Sequence, residues 1–215
     1  MNRKSATFGE FKDYTLAVVR GERAVDPNEP KVWLEPIEGG EPEISTAAVV
    51  QNSHFTQSAL RERIVEHVFV GDVLRRLWNR GATDVEVLRS EFDAGGYDLV
   101  MTYRKIVRHI QFKTVLEKGK ATSVSVSLKL MEKPSGCVIW IVVSEGLELR
   151  SYRWFGDTPG KPLPDITGWK LAKHAKANAK GIKLEKPGHR IVGLSDFEHL
   201  ETLDDVLDRL FGPLP

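Results

Sequence analysis

The chain has 215 residues, of which 41% are hydrophobic and 28% charged, with a formal net charge of +1. These values are typical of a globular protein with one sizeable domain, and they exclude nucleic-acid binding driven by overall charge. The single cysteine, Cys137, lies in an apolar run, which excludes an intrachain disulfide and a cysteine-rich zinc site. The N-terminus lacks the apolar core of a signal peptide, and the longest apolar run, Val138–Val143, is too short to cross a bilayer. We therefore expect a cytoplasmic protein with no membrane partner.

Residues 1–50 differ in character from the rest of the chain. The pattern over 9–20 predicts a short amphipathic helix, and the stretch after it contains four prolines and an acidic bias. We interpret 1–50 as an N-terminal helix and extended arm, which could dock a partner protein. The remainder, 51–215, is predicted to be the main domain.

The clearest helix signal covers residues 54–80. Its apolar positions are 60, 64, 68, 70, 73, 74, 77 and 78. Ser53 or Thr56 could cap its start, and Gly81 is placed to end it. A second helix is predicted at the C-terminus, over 202–212, and would close the domain.

Between the two helices the sequence predicts a series of strands. Alternating or continuous apolar residues indicate strands at 84–92, 95–103, 107–115, 136–143 and 147–155. The segment 122–131 alternates small polar and apolar residues like a strand, although the order of elements would suit a helix there. The predicted class is therefore α/β, with a central mixed sheet flanked by helices.

The stretch HIQFKT, residues 109–114, contains the first functional signal. In a strand, Gln111 and Lys113 point to one face and Phe112 to the other. A lysine on a buried strand needs a polar or anionic partner. Asp98 opens the preceding strand, so a carboxylate and an amide oxygen on adjacent strands could hold Mg²⁺ while the lysine orients a water.

These residues resemble the PD-(D/E)xK superfamily of restriction-endonuclease-like nucleases. The likeness lies in the order of a helix glutamate (Glu66, or Glu62), then Asp98 in GGYDLVM, then QFK at 111–113. It spans about residues 55–145. It implies a restriction-endonuclease-like core and hydrolysis of phosphodiester bonds in DNA, in a bacterial defence or repair setting.

The same resemblance implies roles for individual residues. Glu66, Asp98 and Gln111 would hold Mg²⁺ or Mn²⁺, and Lys113 would position the attacking water. Gln111 departs from the strict acidic pattern, although Gln-x-Lys versions occur in the superfamily. A neutral ligand should bind the metal less tightly than a glutamate, so the alternative is a weak or inactive nuclease-like binding module, which could belong to a toxin–antitoxin or defence pair.

Ordinary structural roles remain open for the same side chains. Glu62 and Glu66 could be solvated helix residues that pair with Arg61, Arg63 or Arg75. Lys113 could extend from an edge strand into solvent. Asp93 could replace Asp98 as the ligand, although its place before a glycine pair favours a turn cap.

A second signal is the lysine-rich stretch 170–190, which holds six lysines and one arginine against one acidic residue. On a helix, Lys173, Lys176 and Lys180 would share one face, and Lys183 follows them. Such a local cluster can bind the phosphate backbone of nucleic acid, although most charge runs are simply solvated. A homodimer would suit cleavage of both strands of a duplex.

Overall fold

The computed structural model describes residues 54, 56–89, 95–174 and 181–214. The chain divides into two units between Ile44 and Ser45, and every described residue belongs to the second. The predicted arm over 1–50 therefore lies outside the described residues, as do Ser53 and Asp93. No described helix is both long enough and apolar enough to span a bilayer.

The described residues form an α/β fold with a mixed central sheet, as the sequence predicts. Two helices are present, α1 (Ser58–Asn79) and α2 (Leu203–Phe211). The nine strands are β1 (Val85–Arg89), β2 (Leu99–Tyr103), β3 (Ile106–Leu116), β4 (Ser123–Ser127), β5 (Gly136–Val143), β6 (Leu149–Gly156), β7 (Leu171–Lys173), β8 (Glu185–Gly193) and β9 (Glu198–Leu200).

Six strands make the central sheet, in the order β1-β2-β3-β5-β6-β9. Only β3 and β5 are parallel, and the other neighbours are antiparallel. The connection from β3 to β5 runs through β4 and a short 3-10 turn at Leu128–Leu130. This resolves the ambiguous segment 122–131 as a strand followed by one tight turn.

The two faces of the central sheet have different covers. Both helices pack on one face, where Val65, Phe69 and Leu207 lie in one core. The other face is covered by a smaller antiparallel sheet, β4-β8-β7, which contributes Val126 and Val192 to a second core. Among the described residues the helices therefore flank the central sheet on one face, and a second sheet occupies the other.

Helix α1 ends where the sequence predicts. Gly81 has φ +70°, and its N–H donates to the carbonyl of Trp78 while that of Ala82 donates to Leu77. This is a Schellman ending, in which glycine adopts a left-handed conformation without a Cβ penalty. At the start, Gln57 occupies the cap position and makes no side-chain cap hydrogen bond, so the prediction of Thr56 was wrong.

The buried stripe of α1 consists of Val65, Glu66, Phe69, Val70, Val73 and Leu77. Of the eight apolar positions that signal this helix, 70, 73 and 77 are buried. The other five are exposed, with Leu60 and Trp78 at 57% and 71% exposure. Apolar residues occur on both sides of the helix, so periodicity alone does not identify the side that meets the sheet.

Arg108 on β3 is a fully buried cation that ties this strand to the end of the chain. Its guanidinium donates to the carbonyls of Leu210 (2.8 Å) and Arg209 at the end of α2, to the Ser135 hydroxyl (3.0 Å) and to the Asp157 carbonyl (3.0 Å). Burial lowers its pKa. The carbonyl dipoles at the helix C-terminus stabilise the charge without a direct carboxylate partner.

We predict that Arg108→Ala destabilises the protein by about 3 kcal/mol or more, because several buried carbonyls lose their donor at once. Urea unfolding of the purified variant measures the change. Lys105→Ala, at the exposed turn between β2 and β3, is the control and should change stability by less than about 0.5 kcal/mol. Equal stabilities of the two variants would contradict the structural role assigned to Arg108.

Candidate active site

Strand β3 extends beyond its neighbour β2, and the candidate site lies where the pairing stops. The last residue pair between the two strands is Leu99 with Ile110. Asp98, immediately before β2, donates its N–H to the Ile110 carbonyl (2.8 Å) and accepts the N–H of Phe112 on its Oδ2 (2.6 Å). The Asp98 carboxylate thus accepts the hydrogen bond that a backbone carbonyl would accept if β2 continued. This bond holds the carboxylate at the start of β2.

A glycine with a left-handed backbone brings the chain to Asp98. Gly96 has φ +73°, and a Cβ at this position would lie 2.6 Å from the Cβ of Ser127 on β4. Only glycine satisfies both the conformation and the close approach. The glycine turn that the sequence suggested before the Asp98 strand therefore has a packing reason as well as a conformational one.

The faces of β3 agree with the predicted alternation. Phe112 packs in the core beneath α1, with its ring centroid 5.1 Å from that of Phe69. Gln111 and Lys113 pair in register with Val138 and Trp140 of β5, which belong to the second core. Lys113 is partly exposed, whereas Gln111 is buried.

A cavity of about 210 Å³ brings most of the predicted residues together. Its walls include Glu62 and Glu66 from α1, Asp98 from the mouth of β2 and Lys113 from β3. Phe112, Thr114, Ala121, Val124 and Trp140 complete it. Three carboxylates and an ammonium group therefore share one cleft beside β3, although they come from three separate segments of the chain.

The helix glutamates are engaged in ion pairs inside this arrangement. Glu66 is buried, and its Oε2 accepts from Arg63 at 2.8 Å and from Arg89, at the end of β1, at 2.9 Å. Glu62 lies 3.8 Å from Arg61. The pairing with helix arginines that the sequence left open is therefore present, together with the cavity that the functional interpretation requires.

Gln111 does not line the cavity that Asp98 and Lys113 share. Its side-chain oxygen Oε1 is buried and has no hydrogen-bond partner among the described residues. A buried polar atom without a partner costs free energy, so most such atoms in proteins are satisfied. The unsatisfied oxygen lies on the same strand face as Lys113, which is the place where a hard cation would need an oxygen ligand.

The residues fit a hard divalent cation by type, and two observations limit that fit. Glu62, Glu66, Asp98 and Gln111 offer carboxylate and amide oxygens, which Mg²⁺ prefers. Among the described residues, no group of three His, Cys, Asp or Glu side chains is close enough to hold a metal ion. Glu66 also contacts two guanidinium groups through Oε2, and their positive charge opposes a cation at the same carboxylate.

The lysine-rich stretch has a different structure from the predicted helix face. Lys173 ends strand β7 and pairs in register with Glu185 of β8, so its assignment to a helix was wrong. Lys183 is exposed just before β8. Lys176 and Lys180 lie outside the described residues.

Sequence reasoning missed the part that arginines play at the cleft. The sequence predicts Arg63 as an ion-pair partner of Glu66 and gives no prediction for Arg89. The spacing of Arg63 and Glu66, three apart on a helix, was a usable signal. The residues around Arg89 do not indicate that β1 ends beside α1, because this contact depends on the order of the strands in the sheet.

The other reactive side chains of the described fold are structural. Cys137 is fully buried on β5, and burial raises the pKa of its thiol to about 12, so the predicted inert buried thiol is confirmed. His109 packs its ring edge-on against Tyr97, 5.0 Å away between centroids. Burial and, secondarily, Lys133 lower the pKa of His109.

Comparisons with known proteins add no family assignment. No protein-family model matches the chain, and a search of curated proteins returns no match.

We predict that Gly96→Ala destabilises the protein by about 2–3 kcal/mol, from the left-handed backbone and the contact with Ser127 together. Gly81→Ala is the matched control, because Gly81 has nearly the same φ, +70°, and its added Cβ would meet nothing within 4 Å. It should cost only about 1 kcal/mol. Denaturant unfolding compares the two, and equal losses would show that the close approach is unimportant.

We predict that Gln111→Met stabilises the metal-free protein by about 1 kcal/mol, because it removes a buried unsatisfied oxygen at nearly constant volume. Thermal and urea unfolding in the presence of a chelator measure this gain. Phe112→Met, at the neighbouring position in the other core, should destabilise instead. A loss of stability in Gln111→Met would indicate that Oε1 already has a partner in solution.

Proposed function

We propose that this protein hydrolyses phosphodiester bonds in DNA in a Mg²⁺- or Mn²⁺-dependent reaction, on a restriction-endonuclease-like core. The observation that carries the proposal is the single cleft containing Glu62 and Glu66, Asp98 and Lys113. The order of elements supports it as well: a helix bearing the acid, an antiparallel β1-β2-β3 meander, and a later apolar strand parallel to β3.

Each residue of the cleft has a definite role in the proposal. Asp98 would hold the metal in one orientation, because Phe112 N–H fixes one of its oxygens. Gln111 would add a neutral oxygen from the neighbouring position on β3, and Glu66 would add a carboxylate from the helix side. When bound, the cation supplies Lewis-acid polarisation of the phosphate.

Lys113 serves the reaction as a fixed positive charge. Its ammonium group would position the attacking water and offset the negative charge that grows on the phosphate in the transition state. The strand holds the base of its side chain, since β3 pairs with β5 through Lys113 and Trp140. A partly exposed lysine at a cleft wall can reach the substrate without being removed from water in the free protein.

A second candidate function is that of a nuclease-like module that binds nucleic acid without cleaving it. The ion pairs of Glu66 with Arg63 and Arg89 favour this reading, because they neutralise the helix acid. The neutral Gln111 favours it too. This candidate requires DNA affinity that falls steeply with salt and no cleavage at any metal concentration.

We predict that Asp98→Asn and Lys113→Ala each reduce plasmid nicking in Mg²⁺ or Mn²⁺ by roughly 100-fold or more. Asparagine keeps an oxygen that can accept the Phe112 N–H, so the loss would reflect the missing charge and not a broken strand end. Gel analysis of supercoiled, nicked and linear plasmid measures the rate. Lys105→Ala, at the turn far along β3 from the cleft, should cleave like the wild type.

Equal nicking by the wild type, Asp98→Asn and Lys113→Ala would mean that a contaminating nuclease is responsible. Absence of nicking in the wild type, combined with salt-sensitive duplex binding, would favour the binding module instead.

A further inference from the structure

Glu66 receives two guanidinium groups on one oxygen at the wall of the candidate cleft. Arg63 and Arg89 come from different elements, α1 and β1, and their Nη1 atoms lie 2.8 and 2.9 Å from the same Oε2. The Glu66 side chain is only 12% exposed, whereas those of Arg63 and Arg89 are 57% and 33% exposed. The arginines are therefore accessible from solvent, while the acid they contact faces the interior.

The described side chains around the cleft carry more positive charges than the number needed to neutralise its carboxylates. Glu62, Glu66 and Asp98 are the carboxylates of the cleft. Among the described residues, the cations that contact these acids or line the cleft are Arg61, Arg63, Arg89 and Lys113. Counted over these described side chains, the formal charge is +1 without a metal, and a divalent cation would increase it. Such a site is suited to a polyanion such as the nucleic-acid backbone.

We propose that Arg63 and Arg89 are phosphate-binding residues that release Glu66 when metal and nucleic acid bind together. This inference deepens the proposed function and rests on it. In the free protein the two arginines neutralise the buried acid. A divalent cation at Glu66 repels both guanidinium groups, and a backbone phosphate at the mouth of the cleft accepts them in the bidentate geometry that arginine favours.

The exchange makes metal and nucleic acid dependent on each other. The arginines compete with the metal for Glu66, so metal alone binds weakly. Nucleic acid removes that competition, so it strengthens metal binding, and by linkage the metal strengthens nucleic-acid binding by the same factor. Because each ligand strengthens the binding of the other, metal and nucleic acid would be bound mainly together, in the ternary complex.

A purely structural ion pair predicts the opposite effect on the metal. If Arg63 and Arg89 only hold Glu66 in place, their removal should weaken metal binding along with everything else. If they compete with the metal, their removal should strengthen metal binding and weaken DNA binding. The two readings therefore differ in the sign of one measurement.

The experiment uses the full chain and binding readouts that need no turnover. Calorimetric titration with Mg²⁺ and, separately, Ca²⁺ measures metal affinity without DNA, and fluorescence anisotropy of a labelled duplex in Ca²⁺ measures DNA affinity over a range of salt. We expect Arg63→Ala and Arg89→Ala each to bind Mg²⁺ several-fold more tightly. Each should bind the duplex roughly tenfold more weakly. The slope of log affinity against log salt concentration (the salt slope) should be smaller in magnitude by about one.

Arg75→Ala is the matched control. Arg75 bonds Asp72 on the same helix at 2.8 Å, with the same spacing as Arg63 and Glu66, but it lies outside the cleft. It should leave metal affinity, duplex affinity and salt slope unchanged. Arg63→Lys and Arg89→Lys keep the positive charge but lack the fork, which is the pair of parallel N–H donors of a guanidinium group. We therefore expect the salt slope to recover fully and the duplex affinity to recover only in part.

The outcomes separate this inference from the proposed function. Weaker metal binding by the alanine variants, or wild-type duplex affinity and salt slope in both, would overturn the exchange even if the wild type cleaves DNA. A wild type that binds neither divalent cation would overturn the proposed function and the exchange together. If an alanine variant has a strongly lowered melting temperature, the lysine variants decide: an unchanged duplex affinity in both would overturn the proposed role of the fork.

Discussion

The candidate site exists because β3 is longer than the strand beside it. Pairing with β2 ends at Leu99 and Ile110, while β3 continues to Leu116 and stays paired on its other side with β5. An unpaired strand edge inside a fold needs partners for its backbone groups. Asp98 supplies one of them through Phe112 N–H, and this requirement places a carboxylate at the cleft.

The two cores hold β3 in place from opposite sides, and Arg108 fixes its first half. Phe112 lies in the core with the helices, while the neighbours of Gln111 and Lys113 lie in the core beneath the smaller sheet. Arg108 joins the strand to the last turn of α2 through backbone carbonyls. The polar second half of the strand is therefore anchored by an apolar and hydrogen-bonded first half. A side chain at Lys113 gains its precision from contacts several residues away.

The sequence predicts most of the strands and the facing of β3, because both depend on local patterns. Period-two alternation separates Gln111 and Lys113 from Phe112 without any knowledge of the fold. The end of the long helix was predicted well, because a glycine acts locally there. The pattern does not give its buried side, because residues such as Leu60 and Trp78 are apolar but exposed. Choosing between two apolar sides of a helix requires the position of the sheet, which a pattern within the helix does not contain.

The cleft itself was predictable only in part, for the same physical reason. Asp98 and Lys113 occupy adjacent strands, so their proximity follows from a hairpin. Arg89 reaches Glu66 because β1 lies at one edge of the sheet beside α1, which depends on strand order. The smaller sheet over the second face depends on long-range pairing of β4 with β8, so the lysine-rich stretch gave a helical pattern where the structure has strand β7 at Lys173.

The cleft and its surroundings contain polar groups that are costly to bury. Among the described residues the buried oxygen of Gln111 lacks a partner, as do a few other buried polar atoms of the fold, such as Tyr103 Oη and Trp140 Nε1. The acid of Glu66 differs from these, because it is removed from water and balanced by two cations drawn from different elements. Folding alone favours apolar residues at such a position, because a buried ion pair rarely gains more than an apolar contact of the same size. A charged cluster that does little for the stability of the free protein is explained if a bound state uses it.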